Sequence, residues 1–311
     1  ETIISQNKEK NVTRCWNDRF DKSNQILINE LIKANCTDII INFNFAFFSM
    51  KNLADIIETF YKNNIKTTII FHSVADVTIK GLESSLSWIK DSLKKVDNIL
   101  LHTVEDINFL KKLDLSNLKF LPHGVKNRAN INYKIKENIT TISSYGFMLP
   151  HKGILDLINA FSILEKEFPY LNLVLVNALY PAAISEDYLQ ICKQRVKELN
   201  ISNKVTFYSD FLSDDKSYEI LDKTDLLVMP YHKTNESASG AIRYAISTLN
   251  PILCTQEPIF NDIKDIVHFI DGNTQEDIAN SIKKLITNKK LFYSKSKKQK
   301  LWLEEHDWKN I

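Results

Sequence analysis

Apolar residues fall in short blocks along the chain, separated by stretches whose apolar positions recur at helical spacing. The blocks at 38–43 (DIIINF), 66–71 (KTTIIF), 98–101 and 118–121 read as strands buried on both faces, because their apolar run is nearly continuous rather than alternating. Between them, 23–34, 53–61, 84–96 and 105–113 repeat apolar residues every three to four positions, and Ser23 is a suitable cap for the first of these helices. A second series begins at 140. Strands are expected at 140–145, 171–176, 205–208, 225–230, 252–254 and 267–270, and helices at 153–168, 186–199, 216–221, 241–248 and 274–286. The tail, 292–308, reads as one long helix carrying Trp302 and Trp308. Strands that alternate with helices are βαβ units, so the fold class is α/β with parallel sheets. The charged, weakly patterned stretch 126–137 is the natural linker between two Rossmann-like domains, 1–126 and 127–291. The first 22 residues are polar and irregular.

Composition narrows the picture without changing it. A chain of 311 residues has room for two domains, and 44% apolar with 25% charged residues is ordinary globular material. A formal charge of +2 offers no bulk attraction for nucleic acid. Cys15, Cys36, Cys192 and Cys254 are far apart, form no CxxC, and are expected to be buried free thiols in a reducing compartment. No apolar run reaches the roughly 18–20 residues of a membrane span, and the opening residues carry no leader pattern, so a cytoplasmic protein is expected.

The chemistry is concentrated after the strands of the second series. In 225–255 an apolar run closed by Pro230 leads into the polar loop 231–238, and Ser239-Gly240 then opens a helix. Such a junction presents free backbone N–H groups and the positive end of a helix dipole to an anion. Glu236, Ser237, Ser239 and Gly240 therefore read either as a diphosphate site, with the carboxylate meeting what the phosphate carries, or as a solvent loop with Ser239 as an N-cap. Lys152, in SSYGFMLPHKG at 143–153, lies in a loop at the same sheet edge and can reach the same anion; otherwise it is an exposed loop lysine. His72 ends a strand of the first series, where it could orient a hydroxyl or move a proton, or serve only a structural end. His102 and His123 occupy similar strand-end positions, and position alone does not rank the three. Asn44, after the first strand, could contact an acceptor on the same argument. No DxD-like pair, GxGxxG or GxxxxGK[ST] is present, so neither a bound divalent metal nor a dinucleotide or P-loop site is suggested. The lysines at 289–300 read as a solvated helix face or as a contact for anionic lipid.

At these residues the chain resembles the GT-B glycosyltransferases of the large retaining family 4, which use nucleotide-diphosphate sugars without a catalytic metal. The stretch 146–153 resembles that family's loop ending in Lys-Gly, beginning at Gly146. Lys152 matches the lysine that holds the donor diphosphate, while the usual arginine after the loop glycine is Phe147 here. Glu236 matches the first glutamate of the family's E-x7-E motif, which contacts the donor sugar; the second position, which usually bonds the ribose, is Tyr244. His72, in IIFHS, matches the histidine beside the transferred sugar. PHGV at 122–125 resembles the segment closing the N-terminal domain, and 301–308 the helix that crosses back, so residues 292–311 are expected to complete the first domain. NFNFAFF, GFMLPHKG and ESASGAIR are most similar to a bacterial subgroup that serves O-antigen or capsule synthesis and includes mannosyltransferases. Relatives carry an earlier strand and glycine loop that would precede Glu1, which implies a trimmed chain or one module of a longer enzyme.

The resemblance implies a retaining hexosyltransferase that moves a sugar from a nucleotide-diphosphate sugar to a glycan or lipid-linked glycan. It would need no cofactor or metal and would work in the cytoplasm, at the inner membrane face when its acceptor is lipid-linked. Two rivals stand beside it: a nucleotide-sugar epimerase on the same fold, and a non-catalytic nucleotide- or glycan-binding module, which Tyr244 favours.

Overall fold

The computed structural model of the chain describes residues 12–16, 23–45, 47–79, 81–128, 131, 135–234 and 236–311. The chain divides into two compact units, Glu1–Leu121 and Pro122–Ile311. Part of the expected linker (129–130 and 132–134) and most of the irregular opening stretch lie outside the described residues.

The first unit holds α1 (Ser23–Lys33), β1 (Asp38–Phe43), α2 (Met50–Lys62), β2 (Lys66–Phe71), a hairpin of β3 (Val77–Ile79) and β4 (Leu82–Ser84), α3 (Lys90–Leu93), β5 (Asn98–Leu101), α4 (Val104–Lys111) and β6 (Leu118–Phe120). Its main sheet has the order β1-β2-β5-β6, and all of those pairs are parallel. Asp38 pairs with Lys66 and Phe43 with Phe71, so β1 and β2 end level. The helix α2 buries Leu53, Ile56, Ile57 and Phe60, a spacing of three and four that keeps one stripe on the core. Ser49 caps it by accepting from Asn52 N. The helix expected over 84–96 is instead the strand residue Ser84, a 3-10 turn at Leu86–Ile89 and the short α3. The Ser85 hydroxyl accepts from Ser87 N and starts that tight turn, a local bond that competes with a regular helix.

The second unit contains β7 (Thr141–Phe147), α5 (Ile154–Glu167), β8 (Asn172–Ala178), α6 (Ala183–Glu198), β9 (Val205–Tyr208), α7 (Asp214–Leu221), β10 (Leu226–Met229), α8 (Gly240–Ile246), β11 (Ile252–Cys254), β12 (His268–Phe269), α9 (Gln275–Ile286), α10 (Lys289–Phe292) and α11 (Ser296–Glu305). The sheet order is β12-β11-β10-β7-β8-β9, again parallel throughout. The order turns back beside β7, which has β10 on one side and β8 on the other. This is the switch point where ligands enter open α/β sheets. Leu226, Leu227, Val228 and Met229 are all buried, as the unbroken apolar run required. The 3-10 turn at Pro258–Ile263 precedes β12.

The tail is not one helix. The chain turns between α10 and α11, where the Tyr293 hydroxyl accepts from Lys136 N at 2.7 Å, and it leaves helical form at His306. Trp302 and buried Leu303 pack with Ile246 and Leu249, and Val125 N donates to His306 O while Trp308 N donates to Val125 O. Gly124 lies so close to the Trp308 indole that a Cβ would collide with it. These tail contacts are therefore with residues of the second unit. Cys192 and Cys254 are buried free thiols, whereas Cys15 and Cys36, expected to be buried as well, are half-buried. No helix among the described residues is long and apolar enough to cross a membrane.

One buried carboxylate ties the start of β7 to the start of β10. Asp225 accepts from Thr140 N at 2.7 Å, Thr141 N at 2.9 Å and Lys136 Nζ at 2.5 Å, with its side chain 3% exposed. Asp225→Ala strands two N–H donors and an ammonium, and should lower the free energy of unfolding by about 2–4 kcal/mol in urea titrations. A variant within about 0.5 kcal/mol of wild type, the range of an ordinary surface change, would show that the clamp contributes nothing.

Candidate active site

The carboxyl end of β7 leads directly into the loop singled out from the sequence. Gly146 has φ +138, a value side chains rarely adopt, and a Cβ there would stand 3.2 Å from Ala241 Cβ and 3.7 Å from the Tyr231 hydroxyl. Glycine thus lets the end of β7 approach the first turn of α8. The chain then makes a 3-10 turn at Pro150–Lys152 and leaves it through Gly153 at φ +67. Gly153 packs on the Pro230 carbonyl with no room for a Cβ, and His232 N donates to His151 O at 2.8 Å. The two loops that follow β7 and β10 are therefore held together through their main chains.

This packing buries Lys152. The residue is 6% exposed, so it is not the solvent-facing loop lysine that the sequence also allowed. Its ammonium lies 3.2 Å from Glu236 Oε2 and 4.1 Å from the centroid of the Tyr231 ring. A cation withdrawn from water needs a charge or a π face, and Lys152 has both. Glu236 keeps 48% of its side chain exposed, so the pair is open to a ligand from the carboxylate side.

Ser239 is buried and caps α8, its hydroxyl accepting from Ile242 N at 3.3 Å and lying 3.5 Å from the Tyr231 hydroxyl. The capping role read from the sequence is thus present in the geometry. The N–H groups of Gly240 and Ala241, in the first turn of α8, have no carbonyl within the helix to bond. Ser237 Oγ is buried and has no hydrogen-bond partner among the described residues. Tyr244 lies one turn further on, and its hydroxyl donates to Asp214 Oδ1 at 2.7 Å. The ring stacks on Tyr218 at 5.4 Å between centroids and meets Tyr145 at a tilt at 4.9 Å. Burial first, and then the Asp214 contact, push its phenol above the ordinary tyrosine range, so it is a neutral donor. Phe147, in the position where the resemblance expects arginine, meets Tyr180 edge-on at 5.3 Å and Phe211 face-on at 6.2 Å.

Three residues that pattern reading passed over belong to this group. Tyr231 is fully buried and touches Lys152, Ser239 and the space above Gly146, joining the three features. Its only sequence signal was its place directly after Pro230. His151 has a buried, unpartnered Nε2 among the described residues, and burial followed by the neighbouring Lys152 charge holds its pKa below the usual histidine range. His232, at 2.7 Å from Asp156 Oδ2, ties the loop after β10 to α5.

In the first unit, His72 follows β2 and is half-buried, with its pKa lowered by desolvation. Its Nε2 is 3.4 Å from Asn42 Oδ1, and its Nδ1 is 3.3 Å from His102 Nε2. Position alone could not rank the histidines; the structure puts His72 and His102 together, whereas His123 bonds Gly124 O and lies 5.7 Å from Trp308. Asn44 is half-buried after β1, where its carbonyl accepts from Phe47 N and Phe48 N.

A family model described as "Glycosyl transferases group 1" matches residues 125–301, well over half of the chain. The chain belongs to this family. Solved structures extend the likeness to more than nine-tenths of the chain and show the GT-B fold. A glycosyltransferase from Rickettsia africae superposes with a TM-score of 0.70 at 13% identity, over 95% of this chain and 80% of that one. A UDP-forming trehalose-phosphate synthase from Burkholderia xenovorans gives 0.71 at 10%, over 93% and 77%. A sucrose-phosphate synthase from Thermosynechococcus elongatus gives 0.70 at 14%, over 93% and 74%. No curated protein sequence matches the chain. The group 1 match includes Gly146, Lys152, Glu236 and Gly240, so the loops described above lie within the glycosyltransferase's family region.

The loop contact at Gly153 yields a direct test. Gly153→Ala adds a Cβ against the Pro230 carbonyl in a left-handed conformation, which alone costs about 1–2 kcal/mol. Thermal and urea unfolding should show a loss of about 2 kcal/mol or more. Unchanged stability would mean that the two loops are not held in this packing.

Proposed function

We propose that this glycosyltransferase moves a hexose, with retention of configuration, from a nucleotide-diphosphate sugar to a hydroxyl of a glycan or lipid-linked glycan in surface polysaccharide synthesis. The observation that carries the proposal is the buried Lys152 ammonium, open to ligand on its Glu236 side and linked through Tyr231 to Ser239, which precedes α8. A buried cation suits an anion whose charge grows during reaction, such as a departing diphosphate. In this reading Lys152 and the N–H groups of Gly240 and Ala241 hold the diphosphate while Gly146 makes room for it. Ser237 adds a hydroxyl, and Ser239 sets the helix start rather than donating itself. Glu236 exchanges Lys152 for the hydroxyls of the sugar, and a contact of His72 with the transferred sugar is taken from the resemblance alone. Asn44 is offered as an acceptor contact on the same footing.

Breaking the bond from the sugar C1 to the phosphate oxygen leaves charge on the diphosphate, next to the lysine. The acceptor oxygen forms its bond to C1 on the same face, and its proton passes to the leaving phosphate, which serves as base in the absence of a protein nucleophile. No metal enters this scheme, so chelator should leave the rate unchanged. Two structural neighbours are described as UDP-forming synthases, a precedent for release of nucleoside diphosphate on this fold. The O-antigen and capsule setting, mannose as the transferred sugar, and a cytoplasmic location at the inner membrane face rest on the resemblance of GFMLPHKG and ESASGAIR.

One observation favours a second reading. Tyr244 stands where a ribose-binding glutamate is expected, and its hydroxyl is already committed to Asp214. A non-catalytic module would bind nucleotide and never release it from a nucleotide sugar.

A thermal-shift panel of GDP-, UDP-, dTDP- and ADP-sugars separates these outcomes when paired with an assay of diphosphate release. The true donor at 100 times its Kd should stabilise the protein by about 2.7 kcal/mol. Lys152→Ala should weaken diphosphate binding by roughly 10–100-fold, the loss expected for a hydrogen bond to a charged group, and lower turnover with it. Transfer near the wild-type rate in that variant would sink the assignment.

A further inference from the structure

The carboxyl ends of the four parallel strands in the first unit carry a continuous polar chain. Asn42 Oδ1 of β1 lies 3.4 Å from His72 Nε2, after β2. His72 Nδ1 lies 3.3 Å from His102 Nε2, after β5. His102 Nδ1 lies 3.0 Å from the carbonyl oxygen of Leu121, after β6. The strand order β1-β2-β5-β6 places these four groups side by side in that order. The sequence could only mark the histidines as separate strand-end residues.

The carbonyl at the far end decides where the protons sit. A carbonyl oxygen only accepts, so His102 Nδ1 must carry hydrogen. His102 is 4% exposed, and a neutral ring is much less costly to bury than a charged one, so its Nε2 keeps a lone pair. That lone pair needs a donor, which is His72 Nδ1–H. We infer that His102 is a positioning residue that fixes His72 as the Nδ1–H tautomer, so that His72 presents a bare Nε2 to whatever approaches the sheet edge. A bare imidazole nitrogen accepts hydrogen bonds and rejects carbonyl or phosphate oxygens. Its partner must therefore be a donor, such as a sugar hydroxyl, or the Asn42 amide turned so that its NH2 faces the ring. Burial lowers the proton affinity of His72, consistent with a group that holds a hydroxyl rather than taking its proton. The hydroxyl partner rests on the transferase reading; the tautomer does not.

Long-range proton–nitrogen correlation spectra of the whole chain distinguish protonated from bare ring nitrogens. In wild type, both His72 and His102 should show Nδ1–H and a bare Nε2 at pH 7.5. His102→Leu removes the acceptor and should move the proton of His72 toward Nε2. His102→Gln should restore the Nδ1–H form, since its amide oxygen can accept from His72 and its NH2 can donate to Leu121. With the donor from the panel, His102→Leu should lower turnover, and the glutamine variant should recover most of it. An Nε2–H form of His72 in wild type, or a tautomer unchanged by His102→Leu, would overturn the inference. Wild type with the stated tautomers but no transfer would overturn the transferase reading and leave the tautomer assignment supported.

Discussion

In a parallel sheet every strand runs the same way, so all carboxyl ends fall on one edge, and whatever follows each strand is delivered there. Both units depend on this constraint. In the first it sets Asn42, His72, His102 and the Leu121 carbonyl in a row. In the second it brings Gly146, Lys152, Tyr231 and Ser239 together although they span nearly a hundred positions of sequence. Hydrogen bonding along the sheet sets the spacing, and the residues after the strands supply the chemistry.

The cost of burying charge then determines how the second unit's edge is built. Lys152 can be withdrawn from water because Glu236 and the Tyr231 ring stand against it. That arrangement exists only because Gly153 permits contact with the Pro230 carbonyl and Gly146 permits contact with the first turn of α8. The two glycines lie where a side chain would force these loops apart. Lys152 and Glu236 are thus held as a charged pair with the carboxylate side half exposed.

The irregularities follow the same physics. Tyr244 and Phe147 replace charged residues expected from the resemblance, and each has joined a group of aromatic rings: Tyr145 and Tyr218 for the first, Tyr180 and Phe211 for the second. Phe147 makes only ring contacts, whereas Tyr244 adds them to its hydrogen bond with Asp214. The tail divides into α10 and α11 where the Tyr293 hydroxyl accepts from Lys136 N.

Pattern by itself determined the α/β class, the two Rossmann-like series and most strand positions. Five strands, β1, β2, β5, β9 and β11, run from the first to the last residue expected of them, because continuous apolar runs between turn signals leave few alternatives. It also placed Lys152 and Glu236 at strand ends. It could not see the hairpin at 77–84, whose short strands have no clear alternation, nor the role of Tyr231, which acts through its ring on a residue 79 positions away. Burial of Lys152, commitment of the Tyr244 hydroxyl and the pairing of His72 with His102 were decided by tertiary structure alone. The first and third depend on which strand ends become neighbours and the second on how α7 and α8 pack, and both are properties of the packed fold rather than of any local run of residues.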